Sequence, residues 1–199
     1  MKTLGISVVA IVVAAVLTGC SAKYPRLDVV DPLPDPVNCR VALLPFVYEG
    51  KVPRGENIFF KAFATELRNI AGLEIIPEAD ITKIYQQMRM YRNDLPNESQ
   101  MQAIGNRLDA QLIIVGDLVE MEEVDTGAYV DTRMTVSVRI YLADTGKILW
   151  NTYHKRKGEE YRNIMHYGRV NTITGLARRV AGEIAALWVD RGMNQCVTQ

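Results

Sequence analysis

The chain has 199 residues, 48% of them hydrophobic, and its 23 basic and 23 acidic side chains cancel. That is enough apolar mass for a full core, and the balance leaves no global field to draw the protein to nucleic acid or an acidic surface. With three cysteines and two histidines (His154 and His166), none at metal-ligand spacing, no metal site is expected either.

Lys2 gives a short positive start, residues 4–16 are uncharged and mostly apolar, and Leu17, Thr18, Gly19 and Cys20 follow. A bilayer span needs roughly 20 apolar residues, whereas a signal-peptide core needs about 7–15. The ending resembles the bacterial lipoprotein lipobox: a Leu, two small residues and a Cys. The resemblance implies that residues 1–19 are a signal peptide cleaved before Cys20. It also implies a diacylglyceryl group on the Cys20 thiol and an acyl chain, of the palmitate type, on its new amine. Such chains, at about 0.8 kcal/mol per buried CH₂, hold a water-soluble domain stably on a membrane. Ser21, not Asp, follows the Cys. In a two-membrane bacterium that favours the outer membrane, with the domain in the periplasm.

Residues 20–38 follow as a tether. Pro25, Pro32, Pro34 and Pro36 favour extended backbone over helix or central strand. Two readings stand open: a spacer that lifts the domain off the membrane, or an ordered arm that buries Val29, Val30 and Leu33.

One domain is expected over residues 39–199. RVALLPF at 40–46 is a strand buried on both faces. Phe59, Phe60, Phe63, Leu67 and Ile70 recur at helical spacing and predict a helix over 56–71, ended by Gly72. Residues 73–76 are a short strand. Ile81, Ile84, Tyr85 and Met88 predict a helix over 79–91, and a third covers 98–108 with Asn97 as N-cap. LIIVGDLVEMEEV is the next strand. Residues 132–142 alternate Met134, Val136, Val138 and Ile140 against Thr135, Ser137, Arg139 and Tyr141, a half-buried antiparallel strand. A tight turn at 144–147 returns the chain as a strand over 148–153. Residues 156–167 read as polar and irregular. Ile173, Leu176, Ala177, Val180, Ile184, Leu187 and Trp188 then form a long amphipathic helix, with Trp188 in the core. The order β-α-β-α-α-β-β-β-α makes a single-domain α/β sandwich: three parallel strands plus an antiparallel edge hairpin, covered by helices.

In that layout the last helix ends near the start of the first strand. Cys39 and Cys196 are therefore expected to form a disulfide closing nearly the whole domain, the alternative being two free buried thiols.

No catalytic residue is assigned, and no enzyme is expected. Asp-Thr-Gly occurs at 125–127 and 144–146, but both triplets fall at hairpin turns, where Asp and Gly serve the backbone. His166 reads as a packing or capping residue. His154, Lys155, Arg156 and Lys157 form the one dense basic run: either a surface for an anionic or acidic partner, or a solvated loop. Trp150 is equally core or interface, and with Tyr153 it completes the candidate partner surface on an unpaired strand edge.

RVALLPF entering a helix, LIIVGDL, and a strand ending in ADTGKILW together resemble the domain shared by the TolB amino-terminal domain, the curli lipoprotein CsgG, PelC and LpoB. The resemblance covers about residues 39–188. It implies a non-enzymatic envelope protein that assembles into a homo-oligomeric ring or docks on an envelope partner. The link at 122–130 is short and polar, which argues against the long barrel-forming hairpins of the curli channel. The tether is far shorter than the arm of the peptidoglycan-synthase activators. A polysaccharide or curli-like export accessory is therefore the leading expectation, and a synthase activator the alternative.

Overall fold

The computed structural model of the protein describes residues 24–35, 39–164 and 167–195. The signal segment, Cys20, His166 and Cys196 lie outside these residues. The elements in chain order are β1 (Arg26–Val29), β2 (Arg40–Leu43), α1 (Gly55–Arg68), β3 (Glu74–Ile75), α2 (Glu78–Gln87), α3 (Glu98–Leu108), β4 (Leu112–Asp125), β5 (Val130–Leu142), β6 (Ile148–Lys157), a 3-10 turn (Gly158–Tyr161) and α4 (Ile173–Asp190). They form one mixed six-stranded sheet in the order β1-β6-β5-β4-β2-β3.

The apolar β2 sits between β3 and β4, parallel to both, with Val41 level with Leu112 and Ile75. The long antiparallel ribbon of β4 and β5 follows, and β6 pairs along β5. Val119 is bulged out of the ladder between Leu118 and Glu120, the one register break in the ribbon.

Two helical layers cover the sheet. α1 and α4 bury Phe59, Phe63, Leu67, Val180, Ile184 and Trp188 against one face, where the Phe63 and Trp188 rings meet edge-on at 5.3 Å. Trp188 also donates its indole N–H to Thr152 Oγ1 at 2.8 Å, so its polar atom is satisfied inside the core. α2 and α3 cover part of the other face through Ile81, Ile84, Met101 and Ile104, over Ala42, Ile113 and Val115. Asn97 caps α3 as its sequence predicts: its side chain accepts from the Gln100 N–H, and Gln100 answers on the Asn97 N–H.

The predicted α/β sandwich is the observed fold, with three differences at its margins. Part of the proline-rich tether is a strand: β1 pairs antiparallel with β6, Arg26 opposite Tyr153 and Val29 opposite Trp150. Leu27 and Leu33 pack against the main core, and the free hydrogen-bonding edge of β6 supplies the backbone partners. The predicted edge hairpin is therefore interior, and β1 is the edge. Finally, β6 runs on through Lys157, four residues beyond its predicted end, and the 3-10 turn follows at once.

Candidate interaction surface

Strand alternation divides the basic run. Trp150, Thr152 and His154 are buried, whereas Tyr153 is 44% exposed. The arm explains the burial of Trp150: Val29, Pro32, Leu33 and Pro34 share one cleft with its ring and with Gly192. Trp150 is a core residue, in edge contact with Trp188 at 6.4 Å. Lys155 projects on the same side as Tyr153 and pairs with Glu120 at 3.2 Å. Arg156 turns inward. Residues 154–157 thus do not make one basic surface, because an extended strand sends neighbouring side chains to opposite faces.

His154 and Arg156 both meet Glu183 on α4. Arg156 donates to its two carboxylate oxygens from Nε and Nη2, each at 2.8 Å. Tyr161 of the 3-10 turn donates its hydroxyl to Glu183 at 3.0 Å, and His154 Nε2 lies against the same carboxylate. Arg156 and Arg179 also approach the face of the Tyr161 ring, at 5.2 and 5.7 Å. Burial works to raise the Glu183 pKa, but the hydrogen bonds from His154, Arg156 and Tyr161 prevail and hold it at about 2. The Tyr161 hydroxyl is pushed up by burial and by Glu183. The Glu183 hydrogen bond holds the Arg156 guanidinium above its ordinary value against the effect of burial. This cluster ties β6, the 3-10 turn and α4 together and leaves its carboxylate fully engaged.

The opposite sheet face is open where α2 and α3 stop. By register it carries Asp117 on β4, Ser137 and Arg139 on β5, Asn151 and Tyr153 on β6, and Arg26 and Asp28 on β1. Sequence alternation identified the polar side of β5, but a neighbouring β1 was not legible, so the width of this face was not either. Thr135 donates to Glu120 there, and that bond, assisted by Lys155, outweighs burial and lowers the Glu120 pKa.

At one end of the sheet the β4–β5 hairpin closes through Asp125, which accepts from the Gly127 N–H. The Arg169 guanidinium lies 3.5 Å from the centre of the Tyr129 ring, and Thr132 donates to the Val170 carbonyl. The other Asp-Thr-Gly triplet turns the chain at the far end of β5, where Gly146 has φ 68°. Thirteen strand residues separate the two turns, on the order of 40 Å. The two aspartates cannot share a proton.

Among the described residues, no group of three His, Cys, Asp or Glu side chains is placed to hold a metal ion. Nor is any helix among them long and apolar enough to cross a membrane. Cys39 is buried at the entry to β2, and its expected partner Cys196 lies outside the described residues.

No protein-family model and no curated protein sequence matches the chain. Solved structures do. A PelC dodecamer from Paraburkholderia phytofirmans is similar at TM-score 0.57 and 13% identity, over 89% of this chain and 100% of that one. Lipoprotein GNA1162 from Neisseria meningitidis is similar at TM-score 0.53 and 13% identity, over 76% and 99% of the two chains. The hypothetical protein CT253 from Chlamydia trachomatis follows at TM-score 0.52 and 15% identity, over 79% and 98%. The chain therefore has a PelC-like α/β fold, one that bacterial lipoproteins use.

Proposed function

We propose that the protein is a non-catalytic outer-membrane lipoprotein, acylated at Cys20, whose periplasmic domain is a ring subunit or scaffold of an envelope export or assembly complex. The observation that carries this reading is the likeness to a PelC dodecamer over the full length of that chain. The wider kinship with TolB amino-terminal domains and the curli lipoprotein belongs to the same proposal. Engagement of Glu183 by three donors favours a structural role over a catalytic one for that cluster.

The subunit contact falls on the open sheet face around Tyr153 and on the outer edge of β1. The face offers exposed polar and aromatic side chains, the edge offers unpaired backbone groups, and the four residues of β1 keep that edge short. Analytical ultracentrifugation of the detergent-extracted, acylated protein tests the reading, and a closed oligomer of defined stoichiometry is expected. A monomer persisting at high concentration overturns the ring. A monomer that captures a penicillin-binding protein supports the synthase-activator role in its place.

A further inference from the structure

From β1 the chain leads back toward Cys20, and the β1–β6 register says where it leaves the domain. Arg26 lies opposite Tyr153, and the strands are antiparallel, so going back along β1 moves toward the C-terminal end of β6. Tyr24 therefore stands at the end of the sheet where Lys157 pairs with Arg133. The β4–β5 hairpin extends past that pair to its turn, and the loop after the 3-10 turn is fastened there by Thr132 to Val170 and by Gly158 to Val170.

Cys20 and Tyr24 are four residues apart and so at most about 14 Å apart, whatever path the chain takes between them. A tether of 18 residues, Ser21 to Asn38, would leave the domain free to tumble. An arm docked from Arg26 onward does not: this end of the sheet stays within that reach of Cys20, and the β5–β6 turn, about the length of β6 away, does not. The same end carries exposed apolar side chains: Tyr24 (80%), Val124 (52%), Tyr129 (44%), Ile164 (73%) and Tyr167 (79%). Aromatic rings with polar tips suit the headgroup region of a bilayer. At the opposite end, the β5–β6 turn presents Asp144, Thr145 and Lys147, and the exposed apolar side chains near it are Val29 and Val30 of the arm and Leu95, next to Pro96, which shares a cleft with Gly146 and Lys147.

We infer that this pole, formed by the β4–β5 hairpin and the loop after the 3-10 turn, rests on the phospholipid surface that holds the Cys20 acyl chains, with Ile164 and Tyr167 among the headgroups. The β5–β6 turn then faces away from the membrane. This rests on the acylation of Cys20 proposed above. The arm thus acts as an orienting clamp, and the open sheet face stands upright on the membrane rather than parallel to it.

Tryptophan reporters at Ile164→Trp, Tyr167→Trp and Thr145→Trp test the orientation in the full acylated chain. The protein is reconstituted into phosphatidylethanolamine–phosphatidylglycerol vesicles doped with a nitroxide-headgroup lipid. The β6 strand alone puts Thr145 about 33 Å from the proposed contact, well outside quenching range. Severalfold stronger quenching at 164 and 167 than at 145, over the background of Trp150 and Trp188, is expected. Equal quenching at the three sites, or stronger quenching at 145, overturns the orientation. The mass of the Cys20 peptide is read first. Its lack of acyl chains overturns the lipoprotein reading and this inference together, whereas an acylated protein without the quenching difference overturns this inference alone.

Discussion

His154 on β6 lies with its Nε2 against the carboxylate of Glu183 on α4, the same carboxylate that grips Arg156 through two hydrogen bonds of 2.8 Å. The Arg156 side chain is only 13% exposed, so its charge depends on its acidic partners, Glu183 first and Glu160, at 3.5 Å, second. Glu183→Ala leaves Arg156, His154 and the Tyr161 hydroxyl without their shared acceptor. A loss of about 3 kcal/mol is expected from removing one partner of such a pair. Glu183→Gln keeps acceptor atoms and loses less. Urea midpoints of the two variants against the parent chain check the order.

The same carboxylate gives stability a pH dependence whose sign follows from its depressed pKa. Glu183 is held at about 2 against an ordinary 4.5. A carboxylate that binds protons less readily when folded stabilises the fold above its unfolded pKa, and that contribution disappears as pH falls through its folded value. Stability is expected to drop between pH 5 and 2 by at most about 3 kcal/mol from this group. Thermal melts across that range should show a shallower fall in Glu183→Gln. An equal fall in both proteins would assign the acid sensitivity to other carboxylates.

What the sequence made legible follows from how local each signal is. The α3 cap lies within four residues, Asn97 to Gln100, and appears as read; the β5 alternation lies within one strand and appears too, except that Thr135 and Tyr141 on its polar side are also buried. β1 carries no such signal. Arg26, Leu27, Asp28 and Val29 do alternate polar and apolar, but four residues in a proline-rich stretch are too short a run to stand out, and what makes them a strand is the edge of β6, more than 120 residues away. The residues 154–157 misled for a related reason. They are adjacent in sequence, but a β-strand separates them by face, and the acid that binds His154 and Arg156 lies on a helix 29 and 27 residues on. Extending the Thr152, His154, Arg156 alternation past Tyr153 is the one sequence signal that would have turned the run inward.

Cys39 and Cys196 are expected to be joined, since Cys39 opens β2 and Cys196 follows α4. Alkylation before and after reduction, read by intact mass, should label both only after reduction. Labelling of the unreduced, unfolded chain at both positions would exclude the bond. Closing so long a loop is worth on the order of 4–5 kcal/mol in the chain-entropy picture, so reduction should lower the urea midpoint clearly.

Leu27 is the β1 residue whose side chain reaches the core cluster, and it sits opposite Thr152. Leu27→Asp should free the arm and bare the β6 edge. An uncovered edge invites pairing with another chain. Light scattering should then show concentration-dependent association of indefinite size, in contrast to the closed oligomer expected of the parent. Faster cleavage of the arm by an added protease would locate the change.

Gly158 fastens the end of β6 to the loop that carries Ile164 and Tyr167. Its carbonyl accepts from the Val170 N–H at 3.0 Å, and Thr132 donates to the Val170 carbonyl at 2.8 Å across the same spot. A Cβ on residue 158 would run into that carbonyl and the Thr132 hydroxyl, and neither is the free end of a flexible chain. Relief requires the loop to move out and both hydrogen bonds to lengthen. Gly158→Ala should therefore cost about 1–3 kcal/mol, the usual range for overpacking a tight site. Hydrogen exchange separates this from a general loss of stability: the Val170 amide should lose protection in the variant while amides in the middle of β5 keep theirs. Unchanged protection at Val170 would mean that the loop is not held at Gly158.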